Sequence, residues 1–304
     1  MPQFLESIVA APELSRVSET LRQLVRPTVR LHATRVEEVA LALGTSKLGG
    51  YPDLPAALSW PVSLHTQKWF SRDVSAKIAL PFLAQLACSE LKPYDGSGLL
   101  PDEGRLYFFY AGCQQATLYD DDGGAHVEFM YDGSSLFRVL WWPDESTSLQ
   151  RQTPPGNLVT NEDMVNGAYY ACSLQPETAW TLPDVETCWI GEPGDVLTQK
   201  EWEIYSELCH EATVYPRHLL LGHSDDSQPY AIEGGYQLVR SEFWPELPPA
   251  TASTAEQQAN RLLLQIDAAD ETEMWFGRGG PVYFGIRDED LRNRDFSKVW
   301  ATTQ

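Results

Sequence analysis

A chain of 304 residues with 43% hydrophobic and 21% charged content has the makeup of a globular protein and the length to bury roughly 75% of its unfolded surface, which excludes intrinsic disorder. Its 22 basic and 43 acidic residues leave a net charge of -21, a field that repels phosphate backbones and anionic bilayers and speeds encounter with basic partners. No apolar run approaches the ~20 residues that span a bilayer, so neither nucleic acid nor membrane is an expected partner.

At the N-terminus the first Lys or Arg is Arg16, Glu6 interrupts the first apolar stretch and Pro12 follows; this does not fit a signal peptide. Leu14, Val17, Leu21 and Leu24 recur at helical spacing until Pro27, which predicts an N-terminal helical segment over residues 1–27. Val29, Leu31 and Ala33 then alternate with Arg30 and His32 as in a strand. Residues 44–61 are rich in Gly and Pro and read as an ordered loop, because they also carry Leu48, Tyr51, Leu54 and Trp60. Strands are predicted near 81–88 and 105–111. A hairpin turn falls at Tyr119-Asp120-Asp121-Asp122-Gly123-Gly124, and 126–131 and 136–142 extend the sheet.

The Pro/Gly/Asn-rich stretch Thr153 to Asn157 is the expected boundary between halves, and strands follow at 169–174 and 178–182. Thr198 and Glu201 form a T-x-x-E capping box, after which Trp202, Tyr205, Leu208 and Ala212 predict a helix over 199–212. Pro245 to Pro249 reads as a second linker. Strands at 262–266 and 282–286, a short helix at 288–293 and a strand near 298–301 close the chain. Strands that follow one another through tight turns predict an α+β, mainly β protein with antiparallel sheet and a few peripheral helices.

The chain also repeats itself. Leu83-Ala84-Gln85-Leu86 returns as Leu263-Leu264-Gln265-Ile266 and Leu106-Tyr107-Phe108 as Val282-Tyr283-Phe284, at offsets of 180 and 176. Upstream, Leu48-Gly49-Gly50-Tyr51-Pro52-Asp53 matches Leu220-Leu221-Gly222-His223-Ser224-Asp225 at 172. Three matches in the same order predict two pseudo-repeated halves, 28–155 and 156–304, within one compact unit.

Ser46-Lys47-Leu48-Gly49-Gly50-Tyr51-Pro52-Asp53, Trp60-Pro61, Pro81-Phe82-Leu83-Ala84-Gln85-Leu86, His218-Leu219-Leu220-Leu221-Gly222, Leu263-Leu264-Gln265-Ile266-Asp267 and Asp295-Phe296-Ser297 together resemble the YwqG-like family. The resemblance implies a roll-like, mainly β architecture and a bacterial protein of unknown function. No catalytic residue or cofactor comes with it, and the placement of some members near toxin genes implies an immunity-like role. The chain departs from the family at Gly222-His223-Ser224, where Gly-Tyr-Pro is expected, and matches it little over 112–200.

No G-x-S-x-G, H-E-x-x-H, Walker A or complete G-x-G-x-x-G motif occurs. The five cysteines (Cys88, Cys113, Cys172, Cys188 and Cys209) are odd in number and widely spaced, as in a cytoplasmic protein with reduced thiols. Asp120, Asp121 and Asp122 read as a solvated turn, and His218 with His223 lacks a third ligand, so no metal or other cofactor is expected. Gln85 and Gln265 each interrupt an apolar strand and need partners for their amides. In the simpler reading each pins a glycine loop, Gly49-Gly50 or Leu221-Gly222. In the other they line a polar ligand site with Asp53, Asp225, Asp267, Tyr107 and Tyr283. Trp141 and Trp142, on opposite faces of a strand, are candidate partner-binding residues.

The expected function is a non-catalytic, cytosolic protein-binding module, immunity-like against a basic toxin domain. The alternative is a hydrolase or small-ligand-binding protein with a polar pocket between the halves, its carboxylates dividing general acid and base roles.

Overall fold

The structure, a computed structural model, describes residues 3–69, 72–111, 115–120, 123–128, 134–155, 168–184, 196–225, 231–245, 259–276 and 279–303. In the N-terminal part the strands are β1 (Arg26–Arg35), β2 (Lys47–Leu48), β3 (Asp53–Pro55), β4 (Val62–Trp69), β5 (Arg72–Ala79), β6 (Phe82–Ala87), β7 (Arg105–Tyr110), β8 (Gln115–Asp120), β9 (Gly123–Glu128), β10 (Phe137–Trp142) and β11 (Leu149–Arg151). They continue as β12 (Cys172–Thr181), β13 (Leu219–Leu220), β14 (Asn260–Ile266), β15 (Val282–Arg287) and β16 (Trp300–Thr303). The helices are α1 (Gln3–Val9), α2 (Ser18–Leu24), α3 (Cys88–Leu91), α4 (Gln199–Ala212), α5 (Ala231–Phe243) and α6 (Asp288–Arg292).

Ten strands form one antiparallel sheet in the order β10-β7-β6-β2-β12-β1-β13-β14-β15-β16. Reading outward from the central β12–β1 pair, one side runs β2, β6, β7, β10 and the other β13, β14, β15, β16. The first strand thus lies between β12 and β13, separated by β12 from β2, the strand that follows it in the chain. The sheet curls on itself. Strands β7 and β15 are seven steps apart, about 34 Å if the sheet were flat. Yet the rings of Phe108 and Phe284 meet edge to face at 5.0 Å, and Trp141 of edge strand β10 packs on Phe296, just before the opposite edge, at 5.0 Å.

The inside of this nearly closed roll is apolar and filled, with Leu106, Phe108, Tyr110, Leu264, Phe276, Phe284 and Trp300 in one cluster. Two smaller clusters cover the outside. One sets Tyr107 and Phe109 against Leu54, Trp60 and Leu80. The other packs α1, α2 and α4 over the β12 end through Leu5, Ile8, Leu21, Tyr205 and Leu182. Strand β7 is therefore buried on both faces, which is why Arg105-Leu106-Tyr107-Phe108-Phe109-Tyr110 shows no alternation.

The α4 helix has the predicted bounds and both hydrogen bonds of its capping box. The regions predicted as two strands at 169–174 and 178–182 are one strand, β12, running through Pro176. Beyond Ser173 no described strand pairs with the outer side of β12, and Leu31, opposite Pro176, donates its N–H to His218 on the β13 side. The missing proline N–H therefore faces no ladder. Helices α1 and α2 lie within the predicted helical segment 1–27, helix α5 and the hairpin β4–β5 lie where the sequence predicted none, and the β8–β9 hairpin forms its own sheet rather than extending the large one.

Candidate functional site

Gln85 stands opposite Lys47 on one side and Tyr107 on the other, so the three share the outer face of the roll. Its Oε1 accepts the Asp53 N–H at 2.7 Å, while its Nε2 donates to the Thr45 carbonyl at 3.0 Å and to Asp53 Oδ2 at 3.2 Å. The Tyr107 hydroxyl donates to the Asp53 carbonyl at 2.8 Å. Between these clamps the chain turns through Gly49 and Gly50, at φ +62° and +66°. The Gly49 N–H donates at 2.8 Å to Leu83, where β6 slips register against β7. A Cβ on Gly49 would lie 2.0 Å from the Tyr170 carbonyl oxygen, so only glycine fits.

The fully buried Asp53 carboxylate also receives Arg151 Nε at 2.8 Å, the Gly44 N–H at 3.0 Å and Lys47 Nζ at 3.4 Å. Lys47, equally buried, is held by Glu38 at 2.9 Å and the Tyr51 carbonyl at 2.5 Å. Burial by itself raises the Asp53 pKa, but the Arg151 hydrogen bond, the Lys47 charge and the Gly44 and Gln85 donors outweigh it and hold the carboxyl below its usual range. An aspartate so fully engaged fastens a loop.

The second site repeats these bonds with different neighbours. Gln265 Oε1 accepts the Asp225 N–H at 3.0 Å, its Nε2 donates to the Arg217 carbonyl at 3.1 Å, and the Tyr283 hydroxyl donates to the Asp225 carbonyl at 2.5 Å. Leu221 and Gly222 turn at φ +64° and +86°, and the Leu221 N–H donates at 3.1 Å to Leu263, where β14 slips register against β15. The Asp267 N–H donates to His218 Nδ1 at 3.1 Å, as the Ala87 N–H donates to Ser46 Oγ at 2.9 Å.

What differs is the charge. Leu219 occupies the place of Lys47 opposite Gln265, and Asp225 pairs instead with Arg217 at 2.6 Å. The Arg217 N–H donates to Asp267 Oδ2 at 2.8 Å. Burial raises the Asp267 pKa, assisted by the Asp225 charge, against the hydrogen bonds from Arg217 and Ala268.

Beside this second network opens a cavity of about 450 Å³, within the range of small-molecule sites. Its floor is the outer face of β12, β1 and β13, where Glu177, Arg30 and Leu219 lie in one row that continues to Gln265 and Tyr283. Leu5 and Ile8 of α1, the C-terminal end of α4, and Arg217 and Ser224 close the sides. Of the predicted ligand residues, Gln265, Asp225 and Asp267 border it through Arg217, whereas Gln85, Asp53 and Tyr107 belong to the closed network; none of these six lines the cavity itself.

Trp141 and Trp142 are half-buried on opposite faces of β10. Trp141 packs on Phe296 and over Gly104, and the Trp142 Nε1–H donates to Thr147 at 3.0 Å. Burial pushes the thiols of Cys88, Cys172 and Cys209 up to about 12, far from a thiolate nucleophile. Burial brings His218 down to about 4 and His223 well below its ordinary value. Among the described residues no cluster of three metal-ligating side chains occurs and no helix is long and apolar enough to cross a membrane. Cys113, Cys188, Asp121 and Asp122 lie outside the described residues.

Sequence reasoning missed Arg30, Arg217, Glu38 and Arg151. Arg30 alternates with Val29 and Leu31 in the predicted first strand, but nothing in the sequence joins it to residues nearly two hundred positions away. No curated protein matches the chain. Residues 46–304 match the family described as a domain of unknown function, DUF1963. With most of its length inside that match, the chain belongs to the DUF1963 family.

Proposed function

We propose that this chain is a non-catalytic, cytosolic, YwqG-like protein of bacterial type, built from two related halves, whose acidic surface binds a basic protein partner as an immunity protein binds its toxin. The observation that carries the reading is a stripe on α4. Glu203, Glu207 and Glu211 are exposed at intervals of four, and none forms an ion pair with a described residue. Like charges at that spacing cost a helix roughly 0.2–0.5 kcal/mol per pair, so a basic partner would relieve a standing repulsion. Meanwhile Arg16, Lys47, Arg151, Arg217 and Arg261 are drawn into ion pairs with the protein's own acids, so these cations are not at hand to offset the α4 stripe. The matched hydrogen bonds around Gln85 and Gln265, and the mirrored strand order about β12–β1, support the two-half reading, with the halves meeting near 153–157.

The test is titration calorimetry of the protein against the products of its neighbouring genes, at low and high salt. Binding that weakens with salt, and that falls at least tenfold in the charge-reversed E203K/E207K/E211K protein, supports the proposal. Unchanged affinity in that variant, or no binding by any neighbour at low salt, counts against it.

A second reading, a small-ligand or hydrolytic site, is favoured by the raised pKa of Asp267 beside Asp225 and Arg217 at the edge of the cavity. Hydrolysis of an ester or amide substrate that disappears in Asp267→Asn would support it.

A further inference from the structure

Among the cavity's lining residues is an arginine, Arg30, with no ion pair to any described carboxylate. Arg30 lies directly across the sheet from Glu177, but the Glu177 carboxylate is turned to His32, 2.7 Å away. No described carboxylate comes within ion-pair distance of Arg30. Its Nη2 donates to the carbonyls of Val214 and Pro216, while Nε and Nη1 have no acceptor among the described residues. A half-buried guanidinium without a counter-charge is costly. Here a second arginine stands in the same wall, in a protein of net charge -21 whose fully buried Lys47 is held by both Glu38 and Asp53. Burial and then the Arg217 charge press the Arg30 pKa down, against the Glu177 charge, which raises it.

The rest of the wall defines what would satisfy it. Arg217 is already neutralised by Asp225 at 2.6 Å, so the cavity has room for a single negative charge. Glu177 and Asp184 on its border oppose a second one. Leu5, Ile8, Leu182 and Leu219 supply an apolar surface next to that charge. We propose that the cavity binds a small monocarboxylate with an apolar body, its head paired bidentately with Arg30 and its tail lying between α1 and β13. Leu5, Ile8 and Arg30 precede the family match at residue 46, so this site combines the chain's own N-terminal segment with the family domain. It does not depend on the partner-binding reading, and its failure would leave that reading untouched.

Titration calorimetry with octanoate, 1-octanol, octylamine and inorganic phosphate on the full chain tests the idea without any variant. Octanoate is expected to bind one to one, at least tenfold more tightly than octanol or octylamine, and not to be displaced by equimolar phosphate. Arg30→Gln should weaken octanoate at least tenfold while leaving octanol unchanged, with the fold checked by circular dichroism. No octanoate binding at millimolar concentration, equal affinity for octanol, displacement by phosphate, or full affinity in a folded Arg30→Gln protein would each overturn the proposal.

Discussion

Gln85 and Gln265 hold equivalent loops but carry unequal loads. Both satisfy a backbone N–H and a backbone carbonyl, and Gln85 also donates to the buried Asp53 carboxylate. Replacement by leucine strands those groups away from water at about 1–3 kcal/mol each. Gln85→Leu is therefore expected to lower unfolding free energy by more than Gln265→Leu, with both losses visible as reduced urea midpoints at unchanged slope. His218 sets a pH dependence. Its Nδ1 accepts the Asp267 N–H, and burial holds its pKa near 4 instead of 6.5. Because the folded pKa is depressed, the unfolded chain takes up the proton first: stability is full above about pH 6.5 and declines as pH falls toward 4, by on the order of 3 kcal/mol. His218→Asn keeps an acceptor in place and removes the titration, so urea midpoints measured from pH 7 to 4.5 should fall less steeply than in the parent. The glutamines were legible as residues demanding partners, and their repetition marked both sites. The Arg30 site was not legible, because its meaning lies in Glu177 turning away toward His32, which only coordinates reveal.

At the scale of elements, local chemistry decides what can be read. The α4 helix was readable to its ends because a reciprocal hydrogen-bonded box starts it, and Arg16 strengthens that start by gripping Glu201. The hydrogen bonds from Arg16, then those from Thr198, hold the Glu201 carboxyl near 2. Thr198→Ala should cost about 1 kcal/mol by thermal or urea unfolding. The α5 helix escaped notice because Gly234 and Gly235 weaken its propensity. The structural reason for Gly235 is tertiary: a Cβ there would lie 2.7 Å from the Trp300 ring. Similarly, Pro176 reads as a strand breaker until the outer side of β12 is seen to pair with no described strand at that residue. Gly104, at φ +108°, sits under Trp141, whose ring is 2.1 Å from where a Cβ would stand. Gly104→Ala should displace that ring from Phe296 and destabilise by about 2 kcal/mol or more, with a change in near-ultraviolet circular dichroism reporting the tryptophan's move.

For the whole molecule, mainly β character and antiparallel pairing followed from the order of strands and turns, but the arrangement about β12 and β1 did not. Short hairpin links predict neighbours in sequence to be neighbours in space, and β1 violates this by pairing with β12 along its full length. A chain beginning at residue 46, where the family match starts, would lack the strand that joins the two sides of the sheet. It is expected to be insoluble or to lose cooperative unfolding, whereas adding residues 26–45 back should restore a sheet-like far-ultraviolet spectrum. The position of β1 also has a consequence in time. Strand β1 leaves the ribosome early, yet its two neighbours end at residues 181 and 220. At 5–20 residues per second, roughly 10–40 s pass before β13 is made. Until then Val29 and Leu31 lack a strand that helps to bury them, so factors that shield apolar segments during synthesis are expected to raise the yield of folded protein.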